Sequence, residues 1–180
     1  AQARDAVHAP LRPGEVVAEL AGLGLEAFMV ESAARSREDY LRRPDLGRSL
    51  SADSEAALAA HRCGCDLAIV VADGLSSTAV QQNAVPFIAA LLPFLQRQRL
   101  TLAPLVVATQ ARVALGDEAA EVLGARMVVV LIGERPGLSS PDSVGAYLTF
   151  APRRGLTDAA RNCISNIRPG GLGFQHAAFK

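Results

Sequence analysis

The sequence predicts a single-domain α/β fold, with a mostly parallel sheet flanked by helices in the Rossmann or flavodoxin-like manner. Three observations predict it. Residues 66–71, 104–108 and 127–132 are short, rich in β-branched residues and apolar without alternation, as parallel strands covered on both faces must be. Helical patterns separate them, and strand–helix–strand alternation implies right-handed crossovers. The 180 residues, 50% of them hydrophobic, are enough for one core, so 1–180 is read as one domain.

The elements follow in order. Residues 1–8 read as a helix that starts without Met, so an upstream segment is expected to be missing. Pro13-Gly14-Glu15 opens a helix running to about Gly22, with Pro in the first turn where its missing N–H costs nothing. Residues 27–30 are a fourth strand candidate. Residues 35–48 form the most polar stretch and read as a surface loop. Ser51 and Asp53 offer caps for a helix through Ala60. Ser76, Ser77 and Thr78 cap a long helical segment that Pro86 is expected to divide. Asp117 opens a short helix, and Gly124 suits its C-cap. Residues 146–150 are a fifth strand candidate. The glycines after Pro169 predict a partly flexible tail.

Composition excludes several classes. Formal net charge is zero, whereas nucleic-acid-binding domains carry a basic excess. No apolar run reaches the roughly 18 residues of a membrane span; the longest, 85–95, contains Pro86 and Pro93 and reads as a buried helix. No secretory signal is visible. Three cysteines do not make a disulfide framework, so reduced thiols in the cytoplasm are expected. Cys63-Gly64-Cys65 is spaced too closely for a structural zinc pair, and His8, His61 and His176 lie far apart, so no metal site is expected.

Ligands of open α/β sheets bind beyond the carboxyl ends of the strands. That rule selects 72–77, 109–113, 133–138 and, further on, 162–166. Asp73-Gly74-Leu75-Ser76-Ser77 reads equally as a ligand loop with backbone N–H groups facing a phosphate or as an ordinary strand–helix turn with a Ser cap. Glu134 and Arg135 directly follow an apolar strand, which a structural turn does not require, so a site is favoured over an internal ion pair. Cys163 has no neighbouring His to activate it and reads as packing. Gly22-Leu23-Gly24-Leu25-Glu26-Ala27 precedes a strand where a dinucleotide fingerprint follows one, and is read as a helix end.

Three segments then act together: Leu41-Arg42-Arg43-Pro44-Asp45-Leu46-Gly47-Arg48, residues 66–77 around Asp73-Gly74-Leu75-Ser76-Ser77, and Gly133-Glu134-Arg135-Pro136-Gly137-Leu138 with the later Cys163-Ile164-Ser165-Asn166-Ile167-Arg168. In this order they resemble the small subunit of ethanolamine ammonia-lyase, a lyase that turns ethanolamine into acetaldehyde and ammonia. The resemblance implies a hetero-oligomer with several copies of each subunit and a TIM-barrel large subunit that carries the chemistry. It also implies adenosylcobalamin in a cleft between the two. Val113, Glu134 and Cys163 match cofactor-contacting positions; Arg112, Arg135 and Asn166 are added by adjacency. No catalytic residue is assigned to this chain. No Asp-x-His-x-x-Gly motif is present, so the chain is expected to supply no lower cobalt ligand. The location it implies is cytoplasmic, with residence in a bacterial microcompartment left open. The alternatives are a stand-alone flavodoxin-like nucleotide or flavin module, and a structural shell component.

Overall fold

A computed structural model describes residues 10–137 and 142–180; the helix expected at 1–8 and Leu138 of the Glu134 segment lie outside them. Its centre is a six-stranded sheet in the order β1-β3-β2-β4-β5-β6. The strands are β1 (Ala27–Glu31), β2 (Leu67–Ala72), β3 (Leu105–Thr109), β4 (Met127–Gly133), β5 (Val144–Phe150) and β6 (Arg161–Ile167). The first four run parallel to one another, while β5 is antiparallel to both β4 and β6. The α/β expectation holds, as a mixed sheet. Strands β3-β2-β4-β5-β6 follow the flavodoxin order, but β1 is added outside β3 and β5 runs against its neighbours, so the sheet is not a flavodoxin sheet.

Helices cover both faces. On one lie α1 (Pro13–Gly22), α4 (Ser77–Arg97) and α6 (Phe174–Phe179), packed through Leu20, Val80, Phe87, Ile88 and Ala177 onto Ile69, Val71, Val107 and Leu131. On the other lie α3 (Ala52–Ala59) and α5 (Val113–Leu123), where Leu58, Leu115, Ala119 and Leu123 meet Ala68, Val70, Val106 and Val130. Every residue of β2 is buried, which is why this strand reads as a continuous apolar run.

Several local readings change. Pro86 does not divide the long helix: α4 runs through both Pro86 and Pro93, its apolar face pinned by the sheet. Its length and composition would suffice to cross a bilayer, and half of that window is buried inside the protein. Asp117 does not open α5, which begins at Val113 with Arg112 at the N-cap and no side-chain cap; Gly124 ends it in the left-handed conformation, as expected. The polar stretch 35–48 is no mere loop. It holds α2 (Arg37–Arg42), capped by Ser36 accepting the Asp39 N–H, and a 3-10 turn, Leu46–Arg48. It folds down because Tyr40, 1% exposed, joins the interior. Residues 162–166 are not a loop after a strand but part of the edge strand β6. The tail expected to be partly flexible contains α6, with Ala177 and Ala178 buried. Cys63 and Cys65, expected as free thiols, stand as a disulfide across Gly64 at the amino end of β2.

Candidate functional site

The carboxyl ends of β2, β3 and β4 meet in an open cleft of about 620 Å³. Its walls are Tyr40 of α2, Gly74 and Leu75 after β2, Arg112 and Val113 at the start of α5, Glu134 and Arg135 after β4, and Tyr147 of β5. A second basin of about 590 Å³ adjoins it, sharing Arg112 and Val113, with Arg48, Glu118, Arg154 and Arg161 on its far side. The first turn of α5 is therefore a partition between two hollows. It is placed there by the β3–α5 connection.

The cleft floor is held by backbone contact. Gly74 has φ +57, and a Cβ there would strike the Gly133 carbonyl and the Ile132 side chain; a Cβ on Gly133 would strike the Ser76 carbonyl. Only glycine lets the ends of β2 and β4 approach this closely. The Leu75 N–H donates to the Gly133 carbonyl at 3.0 Å.

Asp73 turns out to be a knot inside the fold. Its carboxylate accepts N–H bonds from Gly74, Gln110 and Ala111, each at 2.9 Å, and faces the Arg37 guanidinium at 3.4 Å. Burial pushes its pKa up, and these donors pull it back. Ser76 accepts the Ala79 N–H as the cap of α4. Asp73 and the Ser76 cap thus serve the turn reading.

Glu134 is half-buried and anchored. Its Oε2 accepts from the Ser143 hydroxyl at 2.7 Å and the Asn166 N–H at 3.2 Å. Its Oε1 lies over Gly145, where an added Cβ would come within 3.1 Å. The carboxylate is held from behind, with an oxygen left to accept from a ligand. Arg135 is the exposed rim.

Cys163 does not line the cleft. It is exposed on β6, opposite Tyr147 of β5, with its sulfur 3.5 Å from the Ser165 hydroxyl. Tyr147 links it to the cleft. The Tyr147 phenol is pushed up to about 12, first by burial and then by its hydrogen bond to Cys163 and the Glu134 charge. Asn166 lies behind Glu134, with φ +60, and its side-chain oxygen accepts from Arg168 Nε at 2.9 Å. Of the six residues singled out from sequence, Arg112, Val113, Glu134 and Arg135 share the cleft, Asn166 braces it, and Cys163 stands one side chain away.

Sequence reasoning missed Tyr40, Arg37, Ser143 and Tyr147 as site residues. A lone aromatic in the polar stretch 35–48 was the available signal for Tyr40. Strand alternation along β5 could have placed Tyr147. It also missed the buried pair between Asp117 of α5 and Arg161 of β6, 2% and 1% exposed, beneath the second basin. Arg161 also donates to Thr149, Asp158 and the Leu156 carbonyl. Among the described residues, no group of three or more His, Cys, Asp or Glu is placed to hold a metal ion.

The model of the ethanolamine ammonia-lyase light chain (EutC) family matches residues 1–180. The ethanolamine ammonia-lyase small subunits of Ralstonia nicotianae and Azotobacter vinelandii are each 57% identical over 184 residues, covering 100% of this chain and 68% of each relative. That of Pseudomonas syringae pv. tomato is 53% identical, covering 100% of this chain and 64% of the relative. The chain thus spans about two thirds of the length of these relatives. A match along every residue, with identity above half, shows that this chain belongs to the ethanolamine ammonia-lyase light-chain family.

Proposed function

We propose that the chain is the small subunit of an adenosylcobalamin-dependent ethanolamine ammonia-lyase. In this reading it forms one wall of a cofactor cleft that a large, TIM-barrel subunit closes, in a hetero-oligomer with several copies of each. The observation that carries it is the cleft at the carboxyl ends of β2, β3 and β4. There the chain sets Glu134 and Val113 around one hollow, with Cys163 beside Tyr147 at its flank.

The residues present fit such a cofactor. A hollow of about 620 Å³ suits a drug-sized ligand, and a corrinoid overfills it. This chain would therefore contact one side only. Val113 offers an apolar edge. Glu134 Oε1 offers an acceptor to amide or ribose donors, and its charge is oriented by Ser143 and Asn166. Arg112 and Arg135 supply cations for a phosphate-bearing tail or the neighbouring subunit. When bound, adenosylcobalamin supplies radical chemistry, and the protein's part is orientation and exclusion of water. This chain contributes no acid, base or nucleophile in this scheme. The nucleotide-module alternative is weakened, because the Asp73 carboxylate and the Gly74 and Leu75 N–H groups are engaged inside the fold.

The test is reconstitution. The chain purified with its large subunit should hold a corrinoid, visible by its absorbance, and release ammonia from ethanolamine, while the chain alone turns over nothing. A complex that turns over ethanolamine without added or bound corrinoid would refute the reading, as would turnover by the chain alone.

A further inference from the structure

We propose that Tyr40 is a positioning residue for Arg112: its ring holds the Arg112 guanidinium in the partition between the two basins, in the orientation that meets a corrinoid. The inference deepens the cofactor reading above and rests on it.

Arg112 is set from both ends by the same segment. At the guanidinium end, its Cζ lies 4.6 Å from the Tyr40 ring centroid, and an amino group donates to the Tyr40 carbonyl at 3.1 Å. Its Nε is buried without a hydrogen-bond partner. At the backbone end, its N–H donates to the Gly47 carbonyl at 2.8 Å. The two residues before it, Gln110 and Ala111, give their N–H groups to Asp73. Gln110 takes φ +55 to do so, a conformation that non-glycine residues adopt at a cost.

Tyr40 is fixed in turn. It is buried, and the Arg37 guanidinium lies 4.5 Å from its ring centroid. Arg37 is tied to the Gly74 carbonyl at 2.9 Å and to Asp73. Gly47 leaves no room beside the ring, since a Cβ there would come within 2.9 Å of Tyr40 Cδ2. An arginine on a flexible stem loses orientational freedom when its plane lies over an aromatic ring, and a desolvated ring holds it more firmly. The carbonyl bond survives substitution of the side chain, so ring variants isolate the stacking.

The experiment uses the complex of both subunits and cyanocobalamin as probe, with affinity read by equilibrium dialysis. Tyr40→Leu should weaken binding roughly ten-fold, the scale of a buried cation–ring contact, while Tyr40→Phe, which keeps the ring, stays within about two-fold of the parent. In an Arg112→Ala background, Tyr40→Leu should add no further loss, because the two act as one unit. Additive losses would overturn the proposal. So would parent-like binding by Tyr40→Leu beside a weakened Arg112→Ala, which leaves the cofactor reading standing. A parent complex that binds no corrinoid defeats the cofactor reading and this proposal with it. If Tyr40→Leu does not assemble, Arg112→Lys takes its place. It keeps the charge without the planar stack and should weaken binding as Arg112→Ala does; full retention would overturn the positioning role.

Discussion

Replacing Glu134 with Ala should loosen the corrinoid without unfolding the cleft. The magnitude follows from the carboxylate's surroundings. Both internal bonds fall on Oε2, so Oε1 is the oxygen offered to a ligand. One charge-assisted bond is worth about 1.5–3 kcal/mol. Glu134 is half-buried, which favours the lower end, or roughly a ten-fold loss in affinity. Glu134→Gln keeps an acceptor without the charge and should fall between the parent and Ala. The substitution also strips the Ser143 hydroxyl, a buried group, of its acceptor, at about 1–2 kcal/mol of stability. The assay is equilibrium dialysis of cyanocobalamin against the assembled complex, with thermal unfolding of the ligand-free complex beside it. Unchanged affinity would remove Glu134 from the site. A loss in affinity matched by collapse of the ligand-free complex would make the residue structural instead.

Arg161→Met leaves the buried Asp117 carboxylate without its ion-pair partner, which should cost about 3–5 kcal/mol in denaturant unfolding; Arg161→Met with Asp117→Leu should recover part of it, and a single variant as stable as the parent would refute the pairing. The chain has two tyrosines and no tryptophan, and burial pushes both Tyr40 and Tyr147 up to about 12. The folded state therefore holds these protons more tightly than the unfolded chain, so their contribution to stability is full below pH 10 and falls as pH climbs toward 12. Tyrosinate absorbance should accordingly appear only near pH 12, and a rise near 10 in folded protein would contradict the burial of both rings. Cys163→Ser should leave most of the activity in the reconstituted complex, because a hydroxyl can take the thiol's place beside Tyr147 and Ser165; total loss with intact assembly would show a further role.

The parallel core was legible because β2, β3 and β4 are buried on both faces and write their burial into composition. Gly124 and Ser76 announced their caps for equally local reasons. β6 was not legible. As an edge strand exposed along most of its length, it carries Asn, Cys, Ser and Asn where a buried strand carries Val and Ile, and its identity rests on register with β5. The site divides the same way. Glu134 was readable as a charge placed at a strand end. Tyr40 was not, because its value comes from Arg112, Gly47 and Asp73, partners brought near by the fold.

That division bears on how the cleft works. Its walls are joined by ties that no ligand is needed to complete: Gly74 against Gly133, Asp73 to Gln110 and Ala111, Glu134 to Ser143 and Asn166. A surface set in advance loses little freedom when it binds, so its contacts are realised nearly in full. Arg135 stands exposed at the rim of the cleft. A wall this fixed and this open is suited to orienting one side of a large cofactor while another surface supplies the reacting groups. If the proposed cofactor reading holds, substitutions in the ties should therefore change corrinoid affinity before they change the chemistry done on the substrate.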